Sequence, residues 1–236
     1  MIHPLLFEVL VAAMKEHSAQ ISGTDVVNVP QEKWGQLREK LADAKSDEGK
    51  TVFLPHEKAL SATMNGQSPL RCVGGVMISR ELIGQTQFRT DLFIGEDFYF
   101  VYENLIKGAS AIFLRQKWYY VRLHENNSSW DWSYNGFWTR FYRRKLVWEK
   151  EESFGRKQNA AMQKSSAFGI FLMCIAKNKP YSTDAVKMRK VLKAHKKDIF
   201  PALSRLRKML YLISCYCPIV TKILTAKKTN AKKKSI

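Results

Sequence analysis

The chain has 236 residues, of which 45% are hydrophobic and 12% aromatic, so it can bury a sizeable core and is not disordered throughout. Its four cysteines form no paired C-x-x-C motifs, which argues against a structural zinc site or a disulfide framework and favours reduced thiols. No apolar run reaches the roughly 20 residues that a membrane-spanning helix needs.

The net charge of +18 is distributed unevenly along the chain. Residues 1–137 contain 14 lysines and arginines against 16 acidic residues, a balance of −2, whereas residues 138–236 contain 25 against 5, a balance of +20. Such an asymmetry predicts a polyanionic partner surface, which is either an anionic membrane or a nucleic acid.

Residues 1–68 are predicted to form a helix, a short strand and a polar excursion. Apolar residues recur at three- and four-residue spacing over 3–19, which predicts an amphipathic helix. The run 25–29, which a proline closes, predicts a strand. The polar stretch that follows predicts a surface excursion with short helices near 32–43 and 55–63.

A strand interrupted by two glycines is predicted over 72–78, CVGGVMI. Paired glycines within a strand pattern, here Gly74 and Gly75, indicate a bulge or a close approach of the backbone to another group. The next residues predict a short helix that Ser79 caps at its N-terminus and that Gly84 ends.

A second helix and a long strand complete the first half. The helix is predicted to begin near Glu96 and to run to about Lys107, with Gly108 as its stop. The strand is predicted over 111–123, AIFLRQKWYYVRL, because aromatic and β-branched residues predominate there, with basic residues at a kink. The polar stretch 124–130 predicts a loop.

From residue 130 onward the whole pattern is helical. Four helices are predicted, separated by a glycine and two prolines, over 134–153, 158–178, 182–197 and 199–226. The last of them is amphipathic, then strongly apolar, and a lysine-rich tail follows it.

Two adjacent carboxylates, Glu96 and Asp97, lie inside the apolar run 93-FIGEDFYFVYENL-105. One interpretation is structural, since acidic side chains in the first turn of a helix are stabilised by its unpaired N–H groups and its dipole. The other is functional, because a carboxylate held ionised at a helix N-terminus can act as a general base toward a hydroxyl nucleophile.

A second set of candidate residues follows the strand 111–123. Arg122 is suited to bind a phosphate or a carboxylate, and His124 could ligate a divalent metal or donate a hydrogen bond to a phosphate. Functional groups are often presented on such loops, although a single histidine is more commonly an ordinary surface residue.

Three segments, in this order, resemble family 2 of the nucleotide-sugar glycosyltransferases, which have the GT-A fold: 72-CVGGVMISRELIG-84, 88-FRTDLFIGEDFYFVYENL-105 and 119-YYVRLHENNSS-129. In that family, a strand, a short helix with R-E-L and a G-E-D element lead into the acceptor side of the site. The opening helix resembles the one that follows the family's metal-binding D-x-D motif. The resemblance implies an α/β fold: an incomplete, Rossmann-like GT-A core over 1–130, followed by an all-helical extension over 131–236.

The resemblance also implies roles for the charged candidate residues. Asp97 aligns with the carboxylate that deprotonates the acceptor hydroxyl in inverting transfer, and Glu96 aligns with its companion, which helps to hold the sugar or acceptor. Arg122 and His124 fall where the family places groups that face the diphosphate and the divalent metal, Mg²⁺ or Mn²⁺.

The two glycines, Gly74 and Gly75, fall in the strand that lines the family's sugar pocket. The implied activity is transfer of a sugar, with inversion, from a nucleotide-sugar donor to a glycan or lipid-linked acceptor during surface polysaccharide synthesis. A complete member begins with a nucleotide-binding half that ends in D-x-D, and the sequence contains neither feature. We therefore expect an N-terminally truncated enzyme that binds the donor poorly.

Basic and aromatic residues are interleaved in the C-terminal part. The aromatic residues are Trp138, Phe141, Tyr142 and Trp148, and the basic residues among them are Arg140, Arg143, Arg144 and Lys145. The nearly apolar stretch 209–224 is followed by Lys227, Lys228, Lys232, Lys233 and Lys234. This pattern is typical of a helix that lies on an anionic leaflet, and it predicts a cytoplasmic protein peripheral to the inner face of the cell membrane.

A non-enzymatic alternative remains open at this point. In it the chain is a basic module that binds membrane or nucleic acid, the carboxylates at 96 and 97 only cap a helix, and the charge run is a solvated helix face. Nucleic acid is the weaker of the two partners, because charge alone supports it and no nucleic-acid-binding module is recognisable.

Overall fold

The computed structural model describes residues 1–36, 51–66, 68, 70, 72–124, 127 and 130–224. The chain divides into two compact units. Unit 1 comprises Met1–Asp91 and Gly95–Asn127, and unit 2 comprises Leu92–Ile94 and Ser128–Ile236. The strands of the described residues all belong to unit 1, whereas unit 2 is helical over its described part.

A four-stranded mixed sheet forms the centre of unit 1. Its strands, in chain order, are β1 (Ile21–Pro30), β2 (Thr51–Leu54), β3 (Val76–Ile78) and β4 (Ala111–Leu123). They are arranged in the order β2-β4-β1-β3. The long strands β1 and β4 run parallel in the middle, while β2 pairs antiparallel with β4 and β3 pairs antiparallel with β1.

The parallel pair is interrupted near its middle. Thr24 lies opposite Leu114, but Val26 lies opposite Tyr119, so residues 115–118 of β4 leave the regular ladder. The Thr24 hydroxyl donates a hydrogen bond of 2.5 Å to the carbonyl of Gln116 and so satisfies one backbone group of this irregular stretch. The kink predicted at the basic residues of this strand is thereby confirmed.

Four helices lie wholly within the described residues of unit 1: α1 (Leu6–Glu16), α2 (His56–Asn65), α3 (Arg80–Ile83) and α4 (Glu96–Leu105). The apolar spacing of α1 places Leu6 and Leu10 on one face, and both are fully buried in a cluster with Leu114 and Trp118 of β4. The sheet thus has one face covered by the first helix of the chain.

The first three residues lie beside the second half of β4. The N-terminal ammonium of Met1 donates to the carbonyl of Tyr120 at 2.9 Å, and the Tyr120 N–H donates to the Met1 carbonyl at 2.9 Å. His3 is buried and stacks on Trp118 with ring centroids 4.5 Å apart. These contacts hold the end of β4 that carries Arg122.

Six α-helical segments lie within the described residues of unit 2, and the first five are α5 (Tyr134–Ser153), α6 (Lys157–Lys177), α7 (Thr183–Ala194), α8 (Lys196–Ile199) and α9 (Arg205–Tyr216). Residues 218–224 are also helical. Ser133 and Ser182 cap α5 and α7, since their hydroxyls accept hydrogen bonds from N–H groups of the first turn.

Aromatic side chains fill the core of unit 2. Phe137, Phe141, Trp148, Phe168 and Phe171 belong to one buried cluster, in which Phe141 meets Trp148 edge-on at a centroid distance of 5.8 Å. The prediction that the aromatic residues of this segment lie at a membrane interface is therefore wrong for Phe141 and Trp148. Their periodicity along α5 serves the protein core.

The mixed α/β class and the helical C-terminal part are confirmed, whereas several predicted boundaries were wrong. The strand predicted over 72–78 covers only Val76–Ile78, and the strand predicted over 25–29 begins earlier, at Ile21. The helix predicted over 182–197 divides at His195, and the one predicted over 199–226 is broken by a 3-10 turn and again at Cys217.

Two predictions fall mainly outside the described residues. The structure describes the helix predicted over 32–43 only as far as residue 36. In this part a 3-10 turn spans Gln31–Lys33, and residues 34–36 are α-helical. The lysines at 227–234 also lie outside the described residues. Among the helices that are described, none combines the length and the apolar character required to cross a membrane.

Candidate active site

The N-terminus of α4 presents the two predicted carboxylates. Gly95 precedes the helix in the left-handed conformation, with φ of 88°, which a residue with a side chain adopts at a steric cost. Glu96 and Asp97 occupy the first turn and are partly exposed, and an Asp97 Oδ atom accepts a 2.6 Å hydrogen bond from the Phe98 N–H. The first turn of the helix therefore places both carboxylates next to backbone N–H groups at the positive end of the helix dipole.

The residues that follow the carboxylates anchor α4. Phe98, Phe100 and Tyr102 are buried, and Phe100 stacks on Phe88 with centroids 4.1 Å apart. Apolar side chains thus bury the body of the helix, while the two acids stay at its partly exposed end. This arrangement explains how a pair of carboxylates can interrupt an otherwise apolar run.

A polar cluster lies one turn further along α4. Arg89 forms two hydrogen bonds with Asp91, at 2.8 and 2.6 Å, and its guanidinium lies 5.5 Å from the centre of the Tyr99 ring. Burial, followed by the neighbouring Glu103 carboxylate, raises the pKa of Tyr99 well above its usual value. Tyr99 is therefore a neutral hydroxyl at physiological pH and not a base.

Lys107, just beyond the C-terminus of α4, connects this helix to α3. Its ammonium donates to the carbonyls of Leu82 and Ile83, to the Thr86 hydroxyl at 2.6 Å and to the Asn104 side chain at 3.0 Å. A cation placed on the last carbonyls of a helix stabilises that end. Sequence reasoning used this lysine only to mark a helix boundary.

The paired glycines lie in the turn before β3, and not within the strand as predicted. A side chain at Gly74 would come within 2.7 Å of the Tyr119 ring, and one at Gly75 within 2.9 Å of the Tyr119 Cβ. Gly75 also has φ of +71°, and its carbonyl accepts a 3.0 Å hydrogen bond from the Thr24 N–H. The close approach predicted for these glycines is confirmed, and its partner is a tyrosine of β4.

Arg122 and His124 follow at the end of the same strand. Arg122 is exposed, lies opposite Val29 of β1, and has its guanidinium 5.9 Å from the centre of the Trp34 ring. The His124 N–H donates a 2.6 Å hydrogen bond to the side chain of Asn127, which shapes the start of the loop. Residues 125, 126, 128 and 129 of that loop are not among those described.

The predicted residues therefore fall on two parts of unit 1. The glycine turn contacts Tyr119 of β4, and Arg122 lies three residues further along the same strand, whereas Glu96 and Asp97 belong to α4. Tyr119 and Trp34 escaped sequence reasoning, because nothing in the local pattern indicates which aromatic residue faces a distant glycine or arginine.

The predicted metal ligand has no supporting donor set in the part of the chain that is described. No group of three or more histidine, cysteine, aspartate or glutamate side chains there could hold a metal ion. The Mg²⁺ or Mn²⁺ site that the resemblance implies at His124 therefore stays a prediction.

Unit 2 contains an open pocket of about 450 Å³ of its own. The pocket is lined by Glu152, Lys157, Ala161, Lys164, Asp198, Pro201 and Ala202. Two of these residues are lysines and two are acids, so the charges of the pocket largely offset one another. None of the residues predicted to form the active site lines this pocket.

Comparison with known proteins leaves the chain without an assigned family. No protein-family model matches its sequence, and no curated protein matches it either.

Proposed function

We propose that the chain is the acceptor-side portion of an inverting glycosyltransferase that uses a nucleotide-sugar donor. One observation carries this proposal: two adjacent carboxylates stand at the partly exposed N-terminus of α4, after a left-handed glycine, on a helix whose remaining body is buried. The order of strand, short helix, G-E-D helix and long strand in unit 1 supports it, because it is the order that the resemblance predicts.

The chemistry assigned to Asp97 is proton abstraction. Its carboxylate accepts the proton of an acceptor hydroxyl, and that oxygen forms a bond to the anomeric carbon of the donor. The bond from the anomeric carbon to the diphosphate breaks at the same time, and its electron pair leaves with the nucleoside diphosphate. Attack from the face opposite the leaving group inverts the configuration at this carbon.

The remaining predicted residues serve binding in this proposal. Glu96 accepts hydrogen bonds from sugar or acceptor hydroxyls, and the exposed guanidinium of Arg122 attracts the diphosphate. The turn at Gly74 and Gly75 shapes the sugar side of the site. The acceptor is a glycan or a lipid-linked sugar.

A second function is a non-enzymatic one, and the contact of Asp97 with the backbone of α4 favours it. A carboxylate that accepts a hydrogen bond from its own helix already has a structural role, which is worth about 0.3–1 kcal/mol at a helix N-terminus. The chain would then be a basic binding module in which Glu96 and Asp97 only stabilise α4.

Release of nucleoside diphosphate distinguishes the two functions. The full chain is incubated with a panel of uridine- and guanosine-diphosphate sugars and mixed glycan acceptors in Mg²⁺ or Mn²⁺ buffer, and the released diphosphate is measured. Because donor binding is expected to be weak, we expect only slow turnover, with at least one donor supplied in large excess. Asp97→Asn should lower this turnover at least about 100-fold further, because a general base contributes roughly that much.

Glu57→Gln provides the matched control, since Glu57 lies in the first turn of another helix of the same unit, α2. Both substitutions remove a negative charge from a helix N-terminus, so both should change stability by less than about 1 kcal/mol. Equal turnover in Asp97→Asn and Glu57→Gln would remove Asp97 from the role of base. Failure of the unaltered chain to turn over or bind any donor would overturn the transferase proposal.

A further inference from the structure

The last described helices of unit 2 have two chemically different faces. One face of α9 and of residues 218–224 exposes eight apolar side chains, each between 40% and 70% exposed. Within α9, and again within residues 218–224, they recur at three- and four-residue spacing, so each segment has an exposed apolar row. We call these eight side chains together the apolar stripe: Leu206, Met209, Leu212, Tyr216, Ile219, Val220, Ile223 and Leu224.

The opposite face is fixed to the rest of unit 2. Tyr211 is fully buried, and its hydroxyl donates a 2.6 Å hydrogen bond to the carbonyl of Leu192 in α7. Arg207 donates to the carbonyl of Ser165 at 2.8 Å, and Lys222 donates to the carbonyl of Ala176 at 2.6 Å. These anchors determine which face points outward, so the exposure of the stripe is a consequence of packing.

The charge around the stripe has a single sign. After Asp198 the sequence contains no acidic residue and nine lysines and arginines. Arg205 and Lys208 lie next to the stripe at the start of α9, and the Lys193 ammonium lies 5.2 Å from the centre of the Tyr216 ring. An exposed apolar row with cations beside it matches a surface that is anionic outside and apolar just beneath.

We propose that the apolar stripe docks on the surface of an anionic lipid bilayer. The apolar side chains enter the boundary between headgroups and acyl chains, while the lysines and arginines beside them meet the lipid phosphates. A nucleic acid would engage the cations but would leave eight aliphatic and aromatic side chains in water. This proposal depends only on the helices of unit 2 and not on transferase chemistry.

Vesicle flotation tests the proposal on the full chain. One set of vesicles is pure phosphatidylcholine, and the other contains phosphatidylglycerol as the anionic lipid. We expect the chain to float with the anionic vesicles, to bind the neutral ones at least about tenfold more weakly, and to dissociate progressively as salt is raised from 0.1 to 0.5 M.

Two double variants make the test specific. Leu206→Ser with Tyr216→Ser removes the two most exposed members of the stripe, each 70% exposed, and should weaken binding to anionic vesicles about tenfold. Phe154→Ser with Tyr181→Ser removes exposed rings elsewhere in unit 2, which are 49% and 63% exposed, and should leave binding unchanged. Circular dichroism checks that both variants keep their helices.

Several outcomes would overturn the proposal. Failure of the unaltered chain to float with either type of vesicle would show that the stripe has no lipid partner. Equal binding of the two double variants to anionic vesicles would exclude the stripe as the contact. A dimer in light scattering that becomes a monomer in Leu206→Ser/Tyr216→Ser, without vesicle binding, would assign the stripe to a second copy. Binding of polyuridylate without vesicle binding would assign the charge to nucleic acid.

Discussion

Two neighbouring acids on α5 allow a direct test of how burial controls the strength of an ion pair. Glu151 is fully buried, and its carboxylate accepts two hydrogen bonds of 2.7 Å from Arg156 and one of 2.8 Å from Asn159. Glu152 is 47% exposed and pairs with Lys164 at 2.5 Å. We expect Arg156→Met to destabilise unit 2 strongly and Lys164→Met to have little effect.

The expected magnitudes follow from solvation. Removing one partner of a buried ion pair costs about 3–5 kcal/mol, because a desolvated charge loses its counter-ion. Asn159 remains as a donor to Glu151 in Arg156→Met, so we expect the lower end of that range, about 3 kcal/mol. Breaking the exposed pair should cost less than about 1 kcal/mol, since water solvates Glu152 once Lys164 is gone.

Urea denaturation followed by tryptophan fluorescence measures both variants. Four of the six tryptophans of the chain, Trp130, Trp132, Trp138 and Trp148, belong to unit 2, so the emission reports mainly on that unit. The free energies of unfolding of Arg156→Met and Lys164→Met are compared with that of the unaltered chain. Similar losses of unfolding free energy in Arg156→Met and Lys164→Met would refute the reasoning that burial determines how much each ion pair contributes to stability.

Three further predictions concern a glycine of unit 1 and the cysteines of unit 2. Gly75→Ala should lower the free energy of unfolding of unit 1 by about 2 kcal/mol in urea denaturation, because Gly75 has a positive φ and a side chain there would contact Tyr119. Gly35→Ala is the control, and it should leave the free energy of unfolding nearly unchanged because the space around Gly35 is open. Iodoacetamide at pH 8.5 should alkylate the exposed Cys217 and leave Cys174 unmodified, since burial raises the pKa of the Cys174 thiol to about 12. Alkylation of both cysteines in the folded chain would contradict this prediction. The folded pKa of Cys174 exceeds its ordinary value of 9.0, so its contribution to stability is complete below pH 9 and is lost as pH rises toward 12. The fall in urea midpoint between pH 8 and pH 11 should therefore be smaller in Cys174→Ala than in the unaltered chain.

Features that depend on neighbouring residues could be predicted from the sequence. The Ser79 cap of α3, the beginning of α4 at Glu96 and the break at Gly155 each depend on residues a few positions apart, and all three are present in the structure. The position of the two carboxylates on their helix was predictable for the same reason.

Features that depend on distant residues could not be predicted in this way. Gly74 and Tyr119 are 45 positions apart, and Met1 pairs with Tyr120 from the other end of unit 1, so no local periodicity links them. The burial of Glu151 was equally hidden, because its neighbours in α5 are also charged and only packing against α6 selects which acid faces inward. Sequence patterns indicate which elements form, while tertiary contacts decide which polar side chains they bury.

The net charge of the C-terminal part overstates how much charge is available to a partner. Arg140 donates to the carbonyl of Asp131 at 2.7 Å, Arg189 to that of Pro180 at 2.8 Å and Arg207 to that of Ser165 at 2.8 Å. Each of these arginines therefore holds together the helices and loops of unit 2, and burial lowers the pKa of Arg140 and Arg207 from the usual value. Since such cations serve the fold, the proposed membrane contact is better argued from the apolar stripe and the basic residues beside it than from a count of charges.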